Sequence, residues 1–153
     1  MRAAELVEPF PIVSLETDIL SAARTMGDRR LPGLIVCDGA GRPHTVLPGS
    51  QVLRFMIPGY VQDDPTLARV YDDAASQKLM TKMSSRTVQD LLPQRQDRDE
   101  LPVVDPDATI LEVAAVMARM HSPLVAVVDD GRVLGAITVS RLFEVLFPAD
   151  ETA

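Results

Sequence analysis

Cysteine and tryptophan are almost missing from this chain of 153 residues. It has one cysteine, Cys37, no tryptophan, and only 4% aromatic residues. A single cysteine excludes an internal disulfide and any zinc site built from several cysteines. This low cysteine content is typical of proteins in a reducing compartment, so we expect a cytoplasmic protein.

Long hydrophobic runs and an excess of positive charge are also absent. No apolar run approaches the roughly 18 residues needed to span a bilayer, and residues 1–11 lack the basic-then-apolar pattern of a secretory signal. We therefore expect no membrane insertion. The chain carries 15 basic and 22 acidic residues, a net charge of -7. A chain of this charge repels a phosphate backbone as a whole, which argues against a nucleic-acid partner.

No set of residues suited to catalysis is visible. His44 and His121 have no adjacent cysteine or paired carboxylate at ligand spacing, so we predict no metal site. Cys37 lies in an apolar segment, where a free cysteine usually acts as a small buried hydrophobe. There is no glycine-rich phosphate loop and no nucleophilic serine on a strand turn. We predict a protein that is not an enzyme and has no cofactor.

The first positive signal is an internal repeat. When the chain is shifted by 91 residues, residues 10–38 align with residues 101–129, and nine of the 29 pairs are identical. Average residue usage would give roughly two. After one extra residue in the first copy the shift becomes 90, and it pairs Ser50 with Ser140 and Pro58 with Pro148. The chain therefore contains one unit of about 50 residues twice.

The second copy shows the element order of the unit. A short strand at residues 101–104 precedes an amphipathic helix, for which Asp107 is the predicted N-cap. An apolar run and a returning strand follow, joined by an Asp130-Gly131 turn, and residues 140–147 form a final helix. The predicted fold class is therefore mixed α/β (α+β), with two β-α-β-β-α units and an inserted helix between them.

The predicted inserted helix has no counterpart elsewhere in the chain. Asp64-Pro65 is a typical helix start, and an apolar stripe that includes Leu67 and Val70 runs to about Met83. The stripe packs on its own domain, on a dimer partner or on another protein, and the pattern alone leaves these three open. We predict that residues 3–58 form the first repeat with a short lead-in helix and that residues 59–86 form a connector. Residues 87–148 form the second repeat with its own lead-in helix, and residues 149–153 form a tail. Residues 94–100 are predicted to form a charged loop.

The repeat resembles a known family, the tandem pair of cystathionine-β-synthase-type (CBS) domains, also called a Bateman module. The resemblance rests on the segments Leu101–Met117 and Val127–Leu142, and the second copy fits more closely than the first. It implies two units packed through their sheets about a pseudo-twofold axis, usually as a homodimer. It also implies a regulatory module that binds AMP, ADP, ATP or S-adenosylmethionine in clefts between the units and performs no chemistry on them.

The family's nucleotide motif is a glycine, a Thr or Ser three residues later, and an Asp six residues later. A hydroxyl and the free amides of a helix N-terminus suit a phosphate, while a carboxylate accepts hydrogen bonds from a ribose diol. The second copy has Gly135 and Thr138 but carries Arg141 in place of the aspartate. The first copy departs at all three positions, with Thr45, Pro48 and Gln51.

We therefore place the candidate ligand site in the cleft of the second copy. Arginine has only donors, so Arg141 favours a phosphate or carboxylate over a ribose diol. Together with Arg132 and the helix N-terminus it is expected to make this cleft locally positive. The candidate residues are Val104, Asp105, Ser122, Pro123, Thr138 and Arg141.

Two of these residues have simpler structural roles as alternatives. Thr138 can act as the N-cap of the last helix, and Arg141 can be a solvated helix residue that makes weak surface ion pairs. The predicted function is a regulatory module that senses an adenosyl ligand and controls a separate enzyme or transporter. The alternative is a dimeric interaction or scaffold protein that has lost nucleotide binding.

Overall fold

The structure is a computed structural model and describes residues 1–92 and 101–150. The first half contains α1 (Ala3–Leu6), β1 (Ile12–Ser14), α2 (Ile19–Arg29), β2 (Gly33–Cys37), β3 (Pro43–Pro48) and α3 (Gly49–Met56). The second half contains α6 (Val88–Leu91), β4 (Val103–Val104), α7 (Ile110–Met120), β5 (Leu124–Asp129), β6 (Arg132–Thr138) and α8 (Val139–Leu146). Between them lie α4 (Gly59–Asp63), a 3-10 helix (Pro65–Val70), α5 (Asp73–Thr81) and a second 3-10 helix (Lys82–Ser85).

The two halves have the same sheet topology, which confirms the predicted repeat and the α+β fold. One sheet has the order β1-β2-β3 and the other β4-β5-β6. In each sheet the first pair is parallel and the second antiparallel, and a register shift occurs at the equivalent points Val36/Cys37 and Val127/Val128. The predicted hairpins and final helices are present, with bounds that differ by one or two residues.

The sheets pack against each other through one face and against their own helices through the other. On β5, Val125 and Val127 point into a core with residues of α7 and α8, whereas Leu124 and Ala126 point into a core shared with Ile35 of β2. This alternation follows from the two-residue period of a strand. Cys37 is buried in the shared core, and burial raises the pKa of its thiol.

The short lead-in helices are exchanged between the halves. Ala3 and Leu6 of α1 are fully buried in the core of the second half, and Val88 and Leu91 of α6 are buried in the core of the first. The hydrogen bonds are also equivalent: Ala3 N–H donates to Ala108 O (2.8 Å), and Val88 N–H donates to Thr17 O (2.8 Å). Each core is thus completed by a helix that precedes the other repeat. The domain boundaries given above stay a prediction.

The prediction of one helix from Pro65 to Met83 is wrong, although its start is confirmed. The Asp64 carboxylate accepts from Thr66 N–H, and Pro65 is the first residue of the 3-10 helix. The helix ends because Tyr71 is extended, and Asp72 starts α5 by accepting from Ala75 N–H (2.8 Å). A second capping residue within the stripe therefore divides the segment. None of the described helices is long and apolar enough to cross a membrane.

The predicted N-cap of the helix in the second repeat is also wrong. Thr109, not Asp107, caps α7, because its hydroxyl accepts from Glu112 N–H (3.2 Å). Asp107 lies in the preceding turn, where its N–H donates to the Asp105 carboxylate (2.8 Å). Of the predicted loop at 94–100 and the tail at 149–153, residues 94–100 and 151–153 lie outside the described residues.

Candidate functional site

Thr138 lies at the junction of β6 and α8 and is the N-cap of α8. Its hydroxyl oxygen accepts a hydrogen bond from Arg141 N–H at 3.1 Å. The capping role considered from the sequence is therefore present. Because the hydroxyl accepts from this amide, the cap does not use its proton, which the group can donate to a ligand.

Ser122 and Pro123 lie beside Thr138, as the candidate site requires. Leu124 pairs with Thr138 across the hairpin, and Val139 N–H donates to Pro123 O at 3.1 Å. The Ser122 hydroxyl donates to Leu124 O at 2.6 Å. The start of β5 and the mouth of α8 therefore form one continuous surface.

Val104 and Asp105 do not belong to this group. Val104 pairs with Val127, which is three residues along β5 from Leu124 and thus roughly 10 Å away. Val104 is buried among core side chains, and the Asp105 carboxylate is occupied by the turn it forms with Asp107. The structure divides the six predicted residues into a group of four at the mouth of α8 and these two, which lie further along β5.

Arg141 is held by the segment that follows α1. Its Nε donates to Leu6 O at 3.3 Å and lies 3.7 Å from the Glu8 carboxylate, while its Nη1 lies 3.6 Å from Glu144. The side chain of Arg141 is 26% exposed. The alternative of a solvated helix residue describes only part of this arrangement, because one of its contacts is a long-range bond to the exchanged lead-in helix.

Gln51 makes the same contact in the first repeat. Its Nε2 donates to Leu91 O at 3.3 Å, and Gln51 and Leu91 are the positions equivalent to Arg141 and Leu6. In both repeats, therefore, the residue at the motif's third position ties the final helix to the exchanged lead-in helix. The sequence carried one signal of this, since both positions hold a long side chain with hydrogen-bond donors.

Gly135 is required by the approach of the segment 7–8. Glu8 and Ala136 exchange two backbone hydrogen bonds of 3.0 Å, so the N-terminal segment extends the second sheet locally. A Cβ at Gly135 would overlap the carbonyl oxygen of Glu8 and would come within 2.9 Å of the Val7 side chain. The motif glycine is thus explained by backbone packing, whether or not a ligand binds.

An open groove of about 920 Å³ lies beside α3 in the first repeat. It includes Pro48 and Gln51, which are equivalent to Thr138 and Arg141. Its walls are mostly apolar, and the Arg86 guanidinium lies 6.0 Å from the ring centre of Phe55 at one side. The lining residues are Pro48, Ser50, Gln51, Leu53, Arg54, Phe55, Ile57, Gln62, Leu91 and Leu92. This groove was not expected from the sequence, because the repeat's motif is lost here.

Arg132 does not lie at the cleft of the second repeat, contrary to the expectation from the sequence. Arg132 pairs with Asp129 at the far end of β6, six residues and thus roughly 20 Å from Thr138. Arg132 therefore does not contribute to the charge of this site, where the basic residue is Arg141, beside the carboxylates of Glu8 and Glu144. Within the described residues no three His, Cys, Asp or Glu side chains are placed to hold a metal ion.

Comparison with known proteins decides the family. The model of the CBS domain matches residues 88–148. The crystal structure of a CBS domain-containing protein of unknown function from Kribbella flavida is 51% identical, with a TM-score of 0.78. The alignment covers 95% of this chain and 98% of that one. The chain belongs to the CBS domain family.

More distant CBS structures share the fold. The CBS domain of a membrane protein from Sphaerobacter thermophilus is 20% identical, with a TM-score of 0.68 over 94% of this chain and 86% of that one. CBSX2 in complex with AMP, a protein of Arabidopsis thaliana, is 20% identical, with a TM-score of 0.64 over 95% of each chain. No curated protein matches. The resemblance to a CBS domain pair that was inferred from the repeat is confirmed.

Within this CBS pair, substitution of Gly135 by alanine is expected to lower the free energy of unfolding by about 1–3 kcal/mol, because the added methyl group displaces the segment 7–8. The matched control is Gly27→Ala in α2, where a Cβ meets nothing within 4 Å. That change should stabilise by about 0.4–1 kcal/mol, since it reduces the freedom of the unfolded chain. Urea denaturation measures both. Equal effects at the two positions would contradict the proposed close approach.

Proposed function

We propose that this CBS pair is a non-enzymatic regulatory module of the cytoplasm. It senses an adenine nucleotide or a related adenosyl ligand at the mouth of α8 and regulates a separate enzyme or transporter, as a homodimer. The observation that carries the proposal is the grouping of Thr138, Pro123, Ser122 and Arg141 at one helix N-terminus. The AMP-bound CBSX2 supports it as a protein of the same fold.

The chemistry of this group suits the phosphate end of such a ligand. The N-terminus of α8 favours negative charge, and Thr138 retains a hydroxyl proton to donate. Arg141 adds a guanidinium that pairs with phosphate in a bidentate manner. Because Arg141 stands where the family's motif has aspartate, no carboxylate is available at this position to accept from the ribose diol. Other groups would therefore hold the diol.

Ligand binding would compete with an existing contact. The Arg141–Glu8 separation is 3.7 Å and the Glu8 side chain is 58% exposed. Such a pair contributes only about 0–1 kcal/mol, so a phosphate can replace the Glu8 carboxylate at small cost. Release of Glu8 would loosen the segment that pairs with Ala136 and continues into α1. Occupancy of the cleft would thereby reach the N-terminal helix, which is a route for a signal.

A thermal-shift measurement tests the proposal. A ligand that binds only the folded state adds about 2.7 kcal/mol to the free energy of unfolding at a hundredfold excess over its Kd. AMP, ADP, ATP, S-adenosylmethionine and NADH are the probes, and at least one is expected to raise Tm. Arg141→Gln should reduce that shift, whereas Arg132→Gln, at the far end of β6, should preserve it. If none of the five probes raises Tm at millimolar concentration, the proposal is contradicted.

A second function is favoured by one specific observation. Gln51 and Arg141 are both already bonded to lead-in carbonyl groups, at the positions where the family's motif has aspartate. In this alternative the chain has kept the CBS scaffold and acts as a dimeric interaction protein without a nucleotide. Leu67 and Val70 of the connector, which are 47% and 86% exposed, would then contact a partner.

Restoring the aspartate separates the two functions. In the alternative, the wild type does not bind AMP, and the double variant Arg141→Asp/Glu8→Gln gains binding because a diol acceptor returns without a neighbouring carboxylate. In the sensing function, the wild type binds at least one probe, and the variant loses the phosphate contact. Isothermal titration calorimetry with AMP and adenosine measures binding by the wild type and by the double variant, and Glu8→Gln alone is the control. AMP binding by the wild type would rule out the alternative.

A further inference from the structure

The first 3-10 helix of the connector exposes its large apolar side chains instead of burying them. Leu67 is 47% exposed and Val70 is 86% exposed. None of the six residues Pro65–Val70 is buried. Side chains three residues apart lie above one another in a 3-10 helix, so Leu67 and Val70 form one apolar row. This row is open to solvent.

Hydrogen bonds keep this exposed helix in place. It packs mainly against α4, and Gln62 fixes α4 to the end of α3 because its Nε2 donates to the carbonyl groups of Arg54 and Ile57, both at 2.8 Å. The Tyr60 hydroxyl of α4 lies 3.0 Å from the hydroxyl of Tyr71, the residue that follows the 3-10 helix. A surface that is already ordered loses little conformational freedom on binding. The apolar row is therefore presented to a partner in a fixed geometry.

Acidic residues flank the apolar row at both ends. Asp63 and Asp64 precede the 3-10 helix, Asp72 and Asp73 follow it, and all four are exposed. A 3-10 helix rises about 2 Å per residue, so this one is only about 12 Å long and a partner that covers the row reaches both pairs. Arg69 is the only basic residue between them. Within the described residues none of these side chains forms an ion pair. We call Leu67, Val70, Asp63, Asp64, Asp72 and Asp73 the connector face.

The charge of the connector face selects its partner. Two copies that met through this face about a twofold axis would bring the aspartates of both copies together, since such an interface places the same patch on each side. Like charges at close range oppose that association. Nucleic acids and anionic membranes are repelled for the same reason. A protein segment in which apolar residues lie between basic ones is complementary to the face in both respects.

The connector face is attached to the first repeat on both sides. On the N-terminal side, Gln62 bonds α4 to the end of α3. On the C-terminal side, Met80 of α5 packs against the core of the first repeat. The same helix α3 is tied to the exchanged lead-in helix by Gln51, whose Nε2 donates to Leu91 O at 3.3 Å. A partner on the connector face would therefore be held against the body of the CBS pair.

We propose that the connector face is the docking site for a basic, amphipathic segment of the protein that this module regulates. Apolar side chains of that segment cover Leu67 and Val70, and its Lys or Arg side chains lie against the four aspartates. The inference rests on the proposed function, because it takes from it a separate regulated protein and names the surface that receives this protein.

Selection from a random peptide-display library on the immobilised full chain tests the chemistry of the partner. Enriched peptides are expected to combine apolar residues with a net positive charge, and one of them, synthesised with a fluorescent label, is the probe for anisotropy titrations. Leu67→Ser and Val70→Ser should each raise the Kd of this peptide at least about tenfold, because they truncate the centre of the interface. The double variant Asp63→Asn/Asp73→Asn spares the two helix caps. It should raise the Kd at least about threefold and make it less dependent on salt.

Leu134→Ser is the matched control, because Leu134 is 48% exposed and lies on β6, outside the connector. It should change the Kd of the peptide less than about twofold. No enrichment, enrichment of acidic or neutral peptides, or equal binding by the wild type and Val70→Ser overturns the proposal. A change in self-association of the chain on Val70→Ser also overturns it, since the occupant is then a second copy. Nucleotide-induced Tm shifts of the same variants report on sensing separately, so a failure of docking and a failure of the proposed function are distinguishable.

Discussion

The burial of each lead-in helix in the other repeat's core is the contact on which the rest of the structure depends. Ala3 and Leu6 fill the second core, and Val88 and Leu91 fill the first. Neither three-stranded sheet with two helices has a complete core without this exchange. Each half alone would be only marginally stable, because a small domain buries a smaller fraction of its surface than a large one, so the exchanged segments and the shared sheet interface stabilise both halves.

The same exchange determines the candidate site. Because α1 lies in the second core, the chain that follows it passes along β6, and Gly135 is the residue that permits this approach. Arg141 then meets Leu6 and Glu8, and Gln51 meets Leu91 in the equivalent place. Arg141 and Gln51, which both depart from the motif's aspartate, therefore have the same structural role. A ligand at the mouth of α8 and the N-terminal segment would therefore compete for one side chain.

The repeat, the order of elements within it and most helix bounds could be predicted because their landmarks recur at an almost constant spacing and carry strand and helix periodicity. The exchange could not be predicted in this way. A four-residue helix such as α1 has two apolar positions that predict burial, but these two positions do not indicate in which of the two cores the helix is buried. The connector was predicted as one helix because its apolar stripe is continuous, whereas Asp72 captures an amide and starts a new helix. Of the predicted site residues, Ser122, Pro123, Thr138 and Arg141 come together because a hairpin and a helix start fix them. Val104 instead lies beside Val127, roughly 10 Å further along β5, and Asp105 follows it.

Hydrogen exchange by amides in the Leu6→Ala variant tests the exchanged architecture most directly. Leu6 is fully buried, so its truncation weakens the packing of α1. The account predicts faster exchange than in the wild type at Ala108, Ala136 and the rest of the second sheet, with the first sheet unchanged, and the reverse pattern for Leu91→Ala. Loss of protection in β1–β3 on truncation of Leu6 would contradict it.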